Sequence, residues 1–221
     1  VRIPRLYISQ PLAPGKDISL DAAMAHRLGR VLRLVAGAEV VLFDGQGGEC
    51  RGRLVSLGRE RALVKVEKHT ETDRESSLHT HLGLALSRGE RMDWAIQKAV
   101  ETGVQEITPL SSEHAEVKIA KSRQQRHLAR WQQIIVHACE QSGRTALPTL
   151  HPPQELAQWA AQAQADCRLL LHQDAPRSLP SRCRSCALLS GPEGGFSEQE
   201  RMLAQDCGFQ GWSLGPRVLR A

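Results

Sequence analysis

No run of apolar residues in this 221-residue chain approaches the roughly 18 needed for a membrane-crossing helix, so no transmembrane span is expected. The first residues include Arg2, Pro4 and Arg5 without an apolar stretch, so no secretory signal is expected and a cytoplasmic location is. Cysteine is sparse and scattered, six residues in all, and in such a compartment the thiols should be reduced. Cys183-Arg184-Ser185-Cys186 has the spacing of half a zinc site, but no second close pair accompanies it, and no metal is expected. Internal repeats and low-complexity segments are absent as well. The glycines form neither G-x-G-x-x-G with an acidic residue at the dinucleotide distance nor a turn closed by Gly-Lys-Ser/Thr, which excludes the common dinucleotide and P-loop sites.

What is present is an uneven charge. The net charge is +5, with 12 Lys/Arg against 7 Asp/Glu over residues 1–70 and 17 of each over 71–221. A basic excess confined to the first third is either a solvated face or a surface for phosphates. These first residues also read as a small β-rich module. Val40–Phe43 runs into the hairpin-type turn Asp44–Gly48, followed by strands Glu49–Leu57 and Ala62–Lys68, the latter alternating apolar and charged positions. A helix is predicted over Asp21–Leu34, with Leu28, Val31, Leu32 and Val35 as its apolar stripe and Arg27, Arg30 and Arg33 recurring every third residue. Residues 71–78 are polar and read as a linker between a domain at 1–70 and another at 79–221.

From His79 the pattern alternates strands and helices, the mark of an α/β domain with a mostly parallel sheet. The expected strands are Leu82–Leu86, Val104–Leu110 (stopped by Pro109), Arg168–Leu171, Ala187–Leu189 and Gln210–Leu214, about five in number. Helices are expected over Arg91–Glu101, closed by Gly103, over Ser122–Glu140, and over Leu156–Ala163. Trp94, Trp131 and Trp159 read as core residues, whereas Trp212 is ambiguous.

Two glycine corners close the chain. In the first, Ala187–Ser190 runs into Gly191-Pro192-Glu193-Gly194-Gly195-Phe196 and then into Ser197, an N-cap whose capping box Glu200 completes. The second is Leu214-Gly215-Pro216-Arg217-Val218-Leu219-Arg220. Glycines between a strand end and a helix start let backbone groups approach a ligand, although a tight turn alone has the same composition. Glu140 and Arg144 are four apart, as a helical ion pair would be.

These segments, with Ser87–Asp93 through Glu101-Thr102-Gly103, Ala138-Cys139-Glu140-Gln141-Ser142-Gly143-Arg144, Arg2–Arg5 and Arg30–Arg33, resemble the trefoil-knotted SPOUT RNA methyltransferases. The likeness is to the RsmE-type enzymes, which methylate N3 of a uridine in small-subunit (16S) ribosomal RNA, and it spans nearly the whole chain. It implies a knotted C-terminal methyltransferase domain, a PUA-like N-terminal β-barrel, S-adenosylmethionine as cofactor, 16S rRNA as partner, and a homodimer. It places the cofactor on Leu171, His172, Gly191, Glu193, Gly194, Gly195, Leu214, Gly215, Val218, Leu219 and Arg220. The RNA falls to Arg2, Arg5, Arg27, Arg30, Arg33, Arg88, Arg91 and Arg217, and the chemistry to Arg144, as a cation for the uridine anion, and Glu140, which positions it. The family continues past its Leu-Arg motif into a helix that completes the knot, whereas this chain ends at Arg220-Ala221. A non-catalytic ribosome-assembly factor, or a methyltransferase of the same fold with another RNA target, are the alternative functions.

Overall fold

The computed structural model describes residues 3–177 and 183–217. Arg2, Val218, Leu219 and Arg220 therefore lie outside the described residues. The chain divides into two compact units, residues 1–75 with 139–147, and residues 76–138 with 148–221.

The first unit is built on five strands: β1 (Arg5–Tyr7), β2 (Asp17–Leu20), β3 (Glu39–Phe43), β4 (Glu49–Leu57) and β5 (Ala62–Thr70). Their order is β1-β3-β4-β5-β2, antiparallel except where β1 runs alongside β3. Alternation sets the faces: along β5, Ala62, Val64 and Val66 are buried and Lys65 and Glu67 exposed. They join Leu6, Ile18, Leu20, Leu28, Leu42 and Leu54 in one core. Register shifts at Arg51/Gly52 and Leu54/Ser56 mark irregularities in the β4–β5 pairing, as bulges do.

Between β2 and β3 the expected long helix is replaced by a short one. Helix α1 (Ala22–His26) is capped by the Asp21 carboxylate and passes into a π-helical turn, Arg27–Val31. Arg33 then takes a left-handed backbone (φ 54°), which no helix continues through. The apolar stripe therefore fails: Leu28 is buried, but Val31 and Val35 are 67% and 71% exposed.

The second unit contains β6 (His79–Ala85), α2 (Glu90–Glu101), β7 (Glu106–Ser111), most of α3 (Lys121–Ser142), β8 (Thr149–Leu150), β9 (Gln154–Glu155), α4 (Leu156–Gln162), β10 (Cys167–Leu171), β11 (Ser185–Ser190), α5 (Glu198–Asp206) and β12 (Gln210–Trp212). All strand pairs are parallel, in the order β12-β10-β11-β6-β7-β8, with β9 also beside β7. The sheet has seven strands where five were expected, because β8 and β9 are two residues each and too short to carry a periodicity. Pro109 does not stop β7. The Ile107 carbonyl receives the His151 N–H, so odd-numbered residues of β7 face the β8 side. There the Pro109 nitrogen falls between β8, which pairs Glu106 and Ile107, and β9, which pairs Leu110 and Ser111. The ladder is therefore complete without a donor at that position.

Trp159, Phe196 and Phe209 pack with Leu110, Leu170 and Leu189 in one core cluster. Trp131 is buried, as expected; Trp94 is not, being 61% exposed on α2. Residues 139–147, expected in the second domain, cluster with the first unit. Thr145 Oγ1 donates to the Thr72 carbonyl (3.1 Å) and Arg74 to the Gly143 carbonyl (2.6 Å), so the expected linker is tied down by this excursion. The β3–β4 turn holds its other side: Leu147 N–H donates to the Gly45 carbonyl at 3.0 Å and Gly47 N–H to the Thr145 carbonyl at 3.3 Å.

Candidate functional site

Strands β12, β10 and β11 are neighbours and parallel, so their C-terminal ends open at one edge of the sheet. That edge is where open α/β sheets place ligands. A pocket of about 940 Å³ lies there, formed by Leu171–Gln173 after β10, Ser190–Phe196 after β11 and Trp212–Leu214 after β12, with Arg91, Arg201 and Arg217 adding cations.

The β11 corner is fixed on both sides. Phe196 is buried in the core and Gly191 lies against its ring, where a Cβ would stand 3.3 Å from Cε2. Ser197 caps α5: its hydroxyl accepts from Glu200 N–H (3.2 Å) and Glu200 accepts from Ser197 N–H (2.9 Å), the expected capping box. Between these anchors the Gly195 N–H closes onto the Pro192 carbonyl at 2.8 Å, with Gly195 at φ 70° and open space where a Cβ would stand. The β10 and β12 ends are joined by His172 N–H donating to the Trp212 carbonyl at 3.0 Å. His172 Nε2 faces Arg201 Nη1 at 3.3 Å, and Arg91 forms an ion pair with Glu193.

Of the expected cofactor residues, Leu171, His172, Gly191, Glu193, Gly194, Gly195 and Leu214 line this one pocket, and Gly215 directly follows it. Val218, Leu219 and Arg220 lie outside the described residues. Two residues expected to face RNA, Arg91 and Arg217, also line it. Sequence reasoning missed Arg201, although its position four residues after the N-cap Ser197 puts it one turn along the same helix face.

Glu140 and Arg144 belong to the other unit and take separate partners. Glu140 accepts from Arg27 Nη1 (3.0 Å) and Tyr7 N–H (3.1 Å), while the Arg144 guanidinium meets Glu75 through Nε (3.1 Å) and Nη2. Both are buried, Glu140 to 7% and Arg144 to 4% exposure. Arg5 is buried too. It pairs with Glu49, donates to the Gly143 and Arg144 carbonyls (both 3.2 Å) and sits 5.2 Å from the Phe43 ring centroid. Arg5 and Arg27 are each engaged by a carboxylate, whereas Arg30, Arg33 and Arg88 are exposed. The cysteines are free. Burial, with the Cys183 thiol beside it, pushes Cys167 up to about 12, and burial pushes Cys139 and Cys186 to about 11, so these thiols are protonated and unreactive at neutral pH.

A glycine-cornered pocket at the ends of the last parallel strands, in a chain whose first third is basic, fits an enzyme that acts on nucleic acid. Residues 74–221 match the family model described as RNA methyltransferase domain, and residues 24–67 that described as RNA methyltransferase PUA domain. The chain belongs to this RNA methyltransferase family. The ribosomal RNA small subunit methyltransferase E of Buchnera aphidicola from Schizaphis graminum is 30% identical over 223 residues, covering 99% of this chain and 91% of that one. The protein of that name from Synechocystis is 32% identical over 229 residues, covering 98% and 73%. Among solved structures, a Legionella pneumophila methyltransferase in complex with its cofactor SAM superposes with a TM-score of 0.94 at 38% identity, covering 100% of this chain and 92% of that one. The Neisseria gonorrhoeae ribosomal RNA small subunit methyltransferase E, bound to S-adenosyl methionine, gives 0.91 at 34% identity, covering 99% and 92%.

Proposed function

We propose that this chain is an S-adenosylmethionine-dependent methyltransferase of small-subunit ribosomal RNA, acting on N3 of a uridine as a cytoplasmic homodimer. The observation that carries the reading is the Gly191–Gly195 corner lining the pocket, in a chain aligned almost end to end with relatives named ribosomal RNA small subunit methyltransferase E. The pocket suits the cofactor on its own geometry. Its volume of about 940 Å³ is that of a generous small-molecule site, and Gly195 leaves open the space a side chain would fill. Backbone groups of Leu171, His172, Gly191–Gly195 and Leu214 would hold the cofactor, with Arg201 as the cation for its carboxylate. When bound, the cofactor supplies an electrophilic methyl group on a sulfonium.

The remaining work falls to the protein. Uridine N3 carries a proton at neutral pH and its lone pair is unavailable until that proton leaves. A cation near O2 or O4 favours the anion, as donors do at an oxyanion, and Arg91 and Arg217 are pocket cations suited to that part. Glu193, held by Arg91, is the acidic side chain among the described lining residues and the candidate proton acceptor. For Glu140 and Arg144 we propose a part in holding the first unit together, since each is buried in an ion pair of its own.

Methylation of 16S rRNA by the purified protein, with mass spectrometry locating the methyl group, tests the reading; a protein that binds cofactor and RNA but leaves the RNA unmodified defeats it. Light scattering tests the dimer, which a fully active monomer would exclude. For the RNA surface, replacing the exposed Arg30 and Arg33 by Ala should weaken RNA binding and flatten the dependence of log affinity on log salt. The slope should fall by about 0.7 to 0.9 for every phosphate these side chains neutralise. Cofactor affinity should not change. An unaltered salt slope would make these arginines ordinary solvated surface.

A further inference from the structure

At the opposite edge of the second unit's sheet, where the strands begin, side chains of another kind converge. His81 of β6 and Glu106, the first residue of β7, are register partners. His151 directly follows β8 and is fixed by its N–H on the Ile107 carbonyl at 2.9 Å. One ligand atom from each of His81, Glu106 and His151 lies within 4.8 Å of the other two.

We propose that His81, Glu106 and His151 form a site for a divalent transition-metal ion of the zinc class, with solvent completing the coordination shell. The donor set, two imidazoles and a carboxylate, is one that zinc takes. Glu106 Oε2 lies 2.7 Å from His151 Nε2 and 3.9 Å from His81 Nδ1, and Glu106 Oε1 lies 2.7 Å from His79 Nε2. Metal–ligand bonds of 2.0–2.1 Å in a tetrahedron set donors about 3.3 Å apart, so the two Oε2 separations bracket the required value. The 3.9 Å separation is too long for a hydrogen bond; His81 Nδ1 faces the carboxylate without closing on it. Its other ring nitrogen is already engaged, with Thr108 Oγ1 at 2.8 Å and the Trp159 indole N–H donating from 3.2 Å. Of these two, the Thr108 hydroxyl can accept from the imidazole and is the kind of outer contact that orients a ligating ring.

Ligation through Nδ1 would move the ring proton to Nε2, where Thr108 Oγ1 accepts it. The Trp159 indole N–H would then face a donor in place of its acceptor, so the site carries its own fluorescent reporter. An ion here would tie the starts of β6 and β7 to the segment after β8, a structural clip remote from the pocket. The sequence hid the cluster because its members are spread from position 81 to position 151 without any ligand motif.

Titration of the full chain with Co(II) tests the site. Expected are one equivalent bound per chain, a visible absorption band displaced by Zn(II), and a tryptophan emission change absent in Trp159→Phe. Glu106→Gln and His151→Ala should each weaken binding by about 100-fold, at least the scale seen when mere supporting groups are removed. His151 is about a third exposed (32%), so His151→Ala keeps the test valid where Glu106→Gln fails to fold. Cofactor binding should be the same with and without metal. Failure to bind one equivalent overturns the proposal. So does binding that survives both substitutions, or that disappears instead in Cys183→Ser with Cys186→Ser.

Discussion

Replacing Gly195 by valine should abolish S-adenosylmethionine binding while the first unit stays folded. Gly195 sits at φ 70°, where a side chain costs about 1–2 kcal/mol in the left-handed region, and a β-branched residue is the worst suited to it. Whatever backbone adjustment relieves that strain moves the Gly195 N–H off the Pro192 carbonyl, which it meets at 2.8 Å. The new side chain also enters open space beside the pocket. Gly194→Val acts by a different route, because a Cβ there meets the His114 Cβ at 3.3 Å and the neighbour must give way. It should likewise remove binding, whereas Gly194→Ala should leave a measurable remnant. Calorimetry with the cofactor separates these cases. A Gly195→Val protein that binds within a few-fold of the parent would refute a cradle made of backbone.

Arg144→Ala should behave as a stability mutation. The Arg144 side chain is 5% exposed and pairs with Glu75, 19% exposed. Removing one member of a buried pair strands the other at a cost of 3–5 kcal/mol, and the partial exposure of Glu75 sets this case near the lower end, about 3 kcal/mol. For a chain of this size that corresponds to a fall in Tm of about 6–12 °C. Lysine at 144 should restore only part of that stability, because an ammonium cannot reproduce the two-pronged contact through Nε and Nη2. Turnover per folded molecule should stay within a few-fold, with the same pH profile. An unchanged Tm together with slow single-turnover methylation that higher pH rescues would return Arg144 to the chemistry.

The pocket was legible in the sequence to the extent that its parts are contiguous. Gly191–Gly195 and the Ser197–Glu200 box form one unbroken stretch whose local chemistry dictates a strand–turn–helix. Long apolar strands and amphipathic helices were visible for the same reason. What stayed hidden depended on partners distant in sequence. Strands β8 and β9 exist only because β7 offers them an edge, and Pro109 is tolerated only because of where they stop. The π-turn at Arg27–Val31 breaks a helical periodicity that the residues themselves display. Glu140 and Arg144 have the spacing of a pair, yet each meets a countercharge 113 or 69 residues away, which no local pattern encodes.

The chain crosses between its two units three times, after residues 75, 138 and 147. The β-module is therefore not a detachable bead. A fragment ending at Glu75 would lack Gly143, whose carbonyl receives Arg5 and Arg74, and Glu140, which receives Arg27 and the Tyr7 N–H. Three arginines would be left without these acceptors. A protease cut between Glu75 and Ser76 would likewise leave two pieces that hold together, because the stretch of chain completing one is embedded in the other. Grafting this module onto another enzyme would have to carry residues 139–147 with it.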